Sequence, residues 1–187
     1  ILLTIRATNA AIEANKIARE SAEVQLRAYI ALQQTIWSAP KEDTPPGSKT
    51  YRFQIEWKNC GATPARSCQV SINREIRVGL LPENFEYPQI QGGDEILTER
   101  TTLGPGQGCF SSLLFSQEEV RAVASGQSNL FVWAWFEYDD AFKSSPRRRT
   151  EICMKVNISP GLKHASSIAF GPHNGVDEGC RHKPKTA

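Results

Sequence analysis

Two periods of apolar residues divide this chain. Over residues 4–27, Ala7, Ala11, Ala14, Ala18 and Ala22 recur at steps of three and four, which places them on one narrow face of a helix. Alanine loses no side-chain entropy on entering a helix, so propensity over this stretch is high. A stripe of methyl groups nevertheless buries little area. The remaining faces carry Glu13, Lys16, Arg19, Glu20, Glu23 and Arg27, a mixed-charge surface. At ~1.5 Å per residue the segment is about 36 Å long. Two placements stay open. The helix is a stem that associates through its small residues, or it lies flat on the following domain through Ile12, Ile17, Val24 and Leu26. The alanine composition of the face favours the stem, because a helix that roofs a sheet presents larger side chains.

After Tyr29 the period becomes two. Residues 28–38 predict a first strand and residues 40–48, with Pro40, Pro45, Pro46 and Gly47, a loop. Tyr51, Phe53, Ile55 and Trp57 alternate with Arg52, Gln54, Glu56 and Lys58, the pattern of a half-buried strand. A turn over residues 59–65 leads to a long strand through Cys68, Val70, Ile72, Arg74, Ile76 and Val78. Residues 79–100 read as an extended excursion. Gly104-Pro105-Gly106 turns into a strand over 109–115, and Ser116 with Glu119 forms a capping box for a short helix over 117–125. Leu130 to Tyr138 and Thr150 to Ile158 predict an antiparallel pair, and the end of the chain is mostly irregular.

These elements predict a mainly β fold: an antiparallel immunoglobulin-like β-sandwich preceded by a long N-terminal α-helix. The Cys…Trp…Cys spacing of antibody domains is lacking, so the term describes shape alone. A partly open barrel is the second architecture. Residues 1–27 form the stem and residues 28–187 the sandwich domain.

Composition narrows the partners. The net charge of +2 is too small to argue for nucleic acid. Five cysteines without a CxxC motif suit free, largely buried thiols in a reducing compartment, although a Cys60–Cys68 bridge across a hairpin is conceivable. No apolar run reaches the ~18–20 residues that cross a bilayer. The apolar Ile1 to Ile5 reads either as the last turn of a preceding membrane span or as the first turn of a soluble helix.

Several short motifs resemble a family of uncharacterised, membrane-anchored proteobacterial proteins with an N-terminal transmembrane helix and a β-sandwich head. They are Arg27-Ala28-Tyr29-Ile30, the turn Asn59-Cys60-Gly61-Ala62-Thr63-Pro64-Ala65, and Leu103-Gly104-Pro105-Gly106-Gln107. The strand and turn Leu130-Phe131-Val132-Trp133 with Phe136-Glu137-Tyr138-Asp139-Asp140-Ala141-Phe142, then Arg149-Thr150-Glu151-Ile152-Cys153 and Pro172-His173-Asn174 with Asp177, complete the likeness. It spans nearly the whole chain, but through turn and strand residues. The resemblance implies a membrane anchor ahead of the stem and a head beside the bilayer; it implies no activity. The basic segment 143–149 is longer than the family's usual turn.

Candidate chemistry is sparse. His164, His173, Cys180 and His182 are ligand-type residues without finger or ribbon spacing; His173, Cys180 and His182 are the metal candidates, against a reading in which they only cap a sheet edge. Cys109 and Cys153 fall on strands and read as core thiols. Glu137, Asp139 and Asp140 read as turn acids accepting backbone N–H bonds. Lys143, Arg147, Arg148 and Arg149 form a concentrated positive loop that suits anionic lipid headgroups or an acidic partner, and equally a solvated turn. There is no GxGxxG, Walker loop, HExxH or GxSxG motif. The expectation is a non-catalytic, membrane-anchored interaction or scaffold module without cofactor. Its partner is a protein, or a second copy bound through the helix, and not nucleic acid. Its place is the bacterial inner membrane with the head on the cytoplasmic side. The alternative is a soluble sandwich that binds a small ligand or metal.

Overall fold

Alternation in Tyr51, Phe53, Ile55 and Trp57 is realised as a strand whose inward side chains are all buried while their neighbours stay wholly or partly exposed. In the computed structural model, which describes residues 2–41, 45, 49–88, 101–142 and 145–182, this strand is the centre of the first of two sheets. The chain runs α1 (Leu2–Leu26), β1 (Ile30–Ser38), β2 (Thr50–Asn59), β3 (Ala65–Arg77), β4 (Thr101–Leu103), β5 (Gly108–Ser116), α2 (Gln117–Ala124), β6 (Asn129–Asp139), β7 (Arg148–Ile158), β8 (Ala165–Ala169) and β9 (Gly175–Val176). A 3-10 turn follows at Asp177–Gly179. The first sheet has the order β1-β2-β5 and the second β4-β3-β6-β7-β8, with β9 added to β7; every pairing is antiparallel.

The fold is therefore mainly β, with two antiparallel sheets and an N-terminal helix. One apolar core draws on both sheets, and Trp57 of β2 meets Phe136 of β6 at 5.5 Å between ring centroids. Side chains join the edges of β1 and β8 where no ladder does: Thr35 and Ser167 hydroxyls lie 3.3 Å apart, and Trp37 Nε1 donates to the Leu162 carbonyl at 3.0 Å. Arg74, which interrupts the inward face of β3, bonds Glu119 at 2.8 Å and the Leu114 carbonyl, with its guanidinium over the Phe115 ring. The capping box at Ser116 and Glu119 forms in both directions.

The second sheet has a roof of its own. Phe131, Trp133 and Cys153 point away from the sandwich core and pack with Leu81, Phe85, Tyr87 and Phe170. Residues 79–88 thus cover the outer face of β6 and β7; residues 89–100 lie outside the described ones. The end of the chain, expected to be irregular, contributes β8 and β9, because β7 offers a ladder on its free edge.

Two expectations are corrected. Cys60 and Cys68 are both free: Cys60 is exposed in the turn, whereas Cys68 is buried and its thiol donates to the Ala65 carbonyl. Flat packing of α1 also fails. The described side chains from Arg6 to Ala22 are all exposed, and Ile12, Ile17, Val24 and Leu26 retain 61%, 58%, 61% and 49% of their accessible surface. No helix among the described residues is long and apolar enough to cross a membrane.

The joint between helix and sandwich is set by Asn59. Its Oδ1 accepts from the N–H groups of Gly61 and Tyr29, and its Nδ2 donates to the carbonyls of Thr63 and Leu103. Gly61 closes against the chain at residues 27–29, where a Cβ would lie 2.2 Å from the Arg27 carbonyl oxygen. Asn59 is wholly buried, so Asn59→Ala strands several polar groups away from water. Chemical denaturation of that variant should show a loss of about 3 kcal/mol or more.

Candidate functional site on the outer face of the second sheet

Pairing of β6 with β7 sets Trp135 opposite Glu151 and Glu137 opposite Arg149. With a period of two, Arg149 and Glu151 share one face, the outer one, with Trp133 and Cys153. Two paired strands in the middle of the sheet thus carry three charged groups that water barely reaches, Glu137 on β6 and Arg149 and Glu151 on β7. Arg149 answers both acids: Nε donates to Glu151 Oε1 at 2.6 Å and Nη1 to Glu137 Oε1. Its guanidinium also sits over the Trp135 ring, 4.7 Å from the centroid. Arg147 reaches Glu137 at 3.3 Å and Asp139 at 3.1 Å, and bonds Gln69 and the Ser67 carbonyl on β3.

Arg148 faces the opposite way and pairs with Asp177 at 3.1 Å and Asp140 at 3.7 Å. The three arginines expected to offer a positive loop are therefore turned inward into ion pairs. Their side chains expose 13% for Arg147, 14% for Arg148 and 1% for Arg149, too little for a headgroup-binding patch. Lys143 lies outside the described residues. Asp140 does behave as a turn acid, accepting from the Phe142 N–H at 2.7 Å and the Ser145 hydroxyl at 2.6 Å.

The segment after β8 closes over this face. Asn174 pins it, accepting from the Cys153 N–H and donating to the carbonyls of Phe170 and Gly171. His173 is delivered beneath it, wholly buried, its ring stacked on Tyr87 at 4.8 Å and 7°. Its Nδ1 lies 3.3 Å from Glu151 Oε2. His182 brings its Nδ1 to 3.5 Å from Glu151 Oε1, with its ring edge-on to His173. The backbone N–H groups of Arg181 and His182 both donate to the Glu151 carboxylate.

Of the expected ligand set, the structure brings His173 and His182 together and leaves Cys180 out. The Cys180 thiol donates to the Arg149 carbonyl at 3.3 Å, and burial pushes it up to about 12. His164 is exposed in the turn before β8. Glu151 takes the third place: one donor atom from each of Glu151, His173 and His182 falls within 4.8 Å of the others. Sequence reasoning passed over Glu151 because a strand acid ordinarily faces solvent; the alternation Arg149, Glu151 on a strand of buried neighbours was the available signal. Burial likewise raises the thiols of Cys68 to about 11 and of Cys109 and Cys153 to about 12, so they are protonated at neutral pH.

No protein-family model matches the chain, and no curated protein matches it. Among solved structures it is similar to a protein from Archaeoglobus fulgidus known by its crystal structure, at 10% identity and a TM-score of 0.33. The match covers 75% of this chain and 98% of that one. So loose a likeness carries no functional argument.

Burial holds His173 down at about 4; Glu151 pulls the other way, and His182, Arg149 and Arg181 add to the lowering. Below its ordinary 6.5 the unfolded chain takes up a proton that the folded chain refuses. Stability from this residue is therefore present at pH 7 and lost as pH falls from about 6.5 towards 4. Relative to His173→Phe, which keeps an aromatic ring against Tyr87, the native chain should lose about 2 kcal/mol between pH 7 and 4.5. Urea denaturation of both proteins in EDTA-containing buffer measures the difference.

Proposed function

We propose that this chain is a non-catalytic interaction module. An immunoglobulin-like sandwich head sits at the tip of a helical stem that pairs with a second copy of the chain. The stem is tethered to a bacterial inner membrane with the head on the cytoplasmic side. The observation that carries the pairing is the exposure of α1, a helix of 25 residues whose described side chains reach solvent on every face up to Ala22. A helix this long gains little from its own sheets here, and single helices in water are marginal without a packed face. Ile17 and Val24 stand seven residues apart, with Ala10 a further seven before; Ala14 and Ser21 fill the positions between. That is a heptad seam with Ala14 and Ser21 at one site and Ala10, Ile17 and Val24 at the other. The neighbouring Glu13 and Glu20 would face Ala18 and Gln25 across a parallel pair, so no like charges oppose one another there. Small seam residues bury little area, so pairing in solution is weak and a membrane, by confining the stems, strengthens it. The tether itself rests on the family resemblance of the motifs; the free thiols support the cytoplasmic side.

Sedimentation of the full chain should show concentration-dependent dimers. Ala14→Glu with Ile17→Glu should leave a monomer whose head melts at an unchanged temperature. A monomer at every concentration would reject the stem pairing. The native gene product should stay with the membrane pellet after a carbonate wash, and release into the supernatant would reject the tether.

A further inference from the structure

We propose that Glu151, His173 and His182 form a binding site for one divalent transition-metal ion, with zinc the ion that the donor set suits best. The three residues come from two stretches of chain, β7 and the segment that roofs it, and their donor atoms lie within 4.8 Å of one another. Each imidazole stands near coordination-shell distance from one carboxylate oxygen, His173 from Oε2 and His182 from Oε1, and a small closure brings all three donors onto one ion. Bonds of ~2.0–2.1 Å arranged tetrahedrally set neighbouring ligand atoms ~3.3 Å apart. The two imidazole Nδ1 atoms stand 3.3 Å and 3.5 Å from the Glu151 oxygens they face.

Both of those nitrogens are buried and make no hydrogen bond, and neither does His173 Nε2. Two unsatisfied imidazole nitrogens aimed at one carboxylate are costly in a folded protein, and an ion between them removes that cost for the Nδ1 pair. The carboxylate is held in place by Arg149 Nε and by the N–H groups of Arg181 and His182. Such outer-shell donors orient metal-ligating carboxylates. The charge balance also admits a cation. Among the described residues, the arginines that ion-pair with Glu137, Asp139 and Glu151 are Arg147 and Arg149, while the Arg181 guanidinium lies over the Tyr87 ring, 5.4 Å from its centroid. Two nitrogens and one oxygen favour zinc or its neighbours over magnesium and calcium, which take oxygen shells. Three protein ligands leave a fourth position for water or a bound group. His182, with its side chain 33% exposed, is the ligand nearest solvent, while Glu151 and His173 are closed off.

The test uses the full chain carrying Cys60→Ser, which removes the exposed thiol. After EDTA treatment and dialysis, zinc titrated by calorimetry should bind at one ion per chain and raise the melting temperature. Cobalt in its place should give the d–d absorption of a low-coordinate nitrogen and oxygen site without a thiolate charge-transfer band. His182→Ala, partly exposed and outside both sheets, should melt as the parent does in EDTA and bind zinc at least tenfold more weakly; His182→Gln serves if the alanine variant does not fold. Cys180→Ser should bind as the parent does. No zinc-dependent rise in melting temperature, a cobalt–thiolate band, or undiminished affinity in the His182 variant would each overturn the proposal.

Discussion

A carboxylate shut away from water in the middle of a sheet is the constraint around which one end of this molecule is built. Glu151 is 1% exposed on β7, and an unpaired charge at such a site would cost several kcal/mol. The chain meets that cost with Arg149 two residues away on the same strand and with two backbone N–H groups from Arg181 and His182. Those amides can reach it only if the chain beyond β8 turns back over the outer face. Gly175 permits the return, since a Cβ there would lie 2.2 Å from the Gly179 carbonyl oxygen. Once the segment is down, His173 and His182 have nowhere to go but beside Glu151. The same ion-paired network thus shapes the roof and gathers the donor atoms.

A second set of ion pairs, on the opposite face of β7, reaches the stem. Asp177 leaves the roof segment to pair with Arg148 at 3.1 Å and with Arg27 at 3.7 Å, and Arg148 goes on to Asp140. Arg27 directly follows α1, and its carbonyl lies against Gly61 in the turn that Asn59 organises. The base of the helix is therefore fixed from two sides, by a hydrogen-bonded asparagine and by an ion pair, while the helix beyond it has no sheet to lean on. The described contacts of the stem are thus concentrated at its base, beneath a helix whose described side chains are exposed up to Ala22.

The strands were legible in the chain because β2 and β3 carry the period-two signal in large apolar side chains and β6 is a continuous apolar run. The capping box at Ser116 was legible because both halves of it are local. The helix was legible as a helix, and its alanine face argued against a roof, as the exposure of Ile12 and Ile17 bears out. What stayed hidden was long-range. Arg147, Arg148 and Arg149 look like a basic loop in sequence; their partners lie on β3, β6 and β7, in the turn at Asp140 and at Asp177. Glu151 looks like an ordinary strand acid until β6, β9 and the roof surround it. Periodicity reports which face is apolar, and it carries no signal for charges neutralised across a fold.

The central claim, that α1 is a stem completed by a second copy of the chain, has a direct measurement in amide hydrogen exchange across a dilution series of the full chain. Local stability in a helix comes from what packs on it. Amides of residues 8–24 should exchange slowly in the concentrated protein and lose that protection on dilution, while β2, β6 and β7 stay protected throughout. Protection of residues 8–24 that does not change with concentration would contradict it.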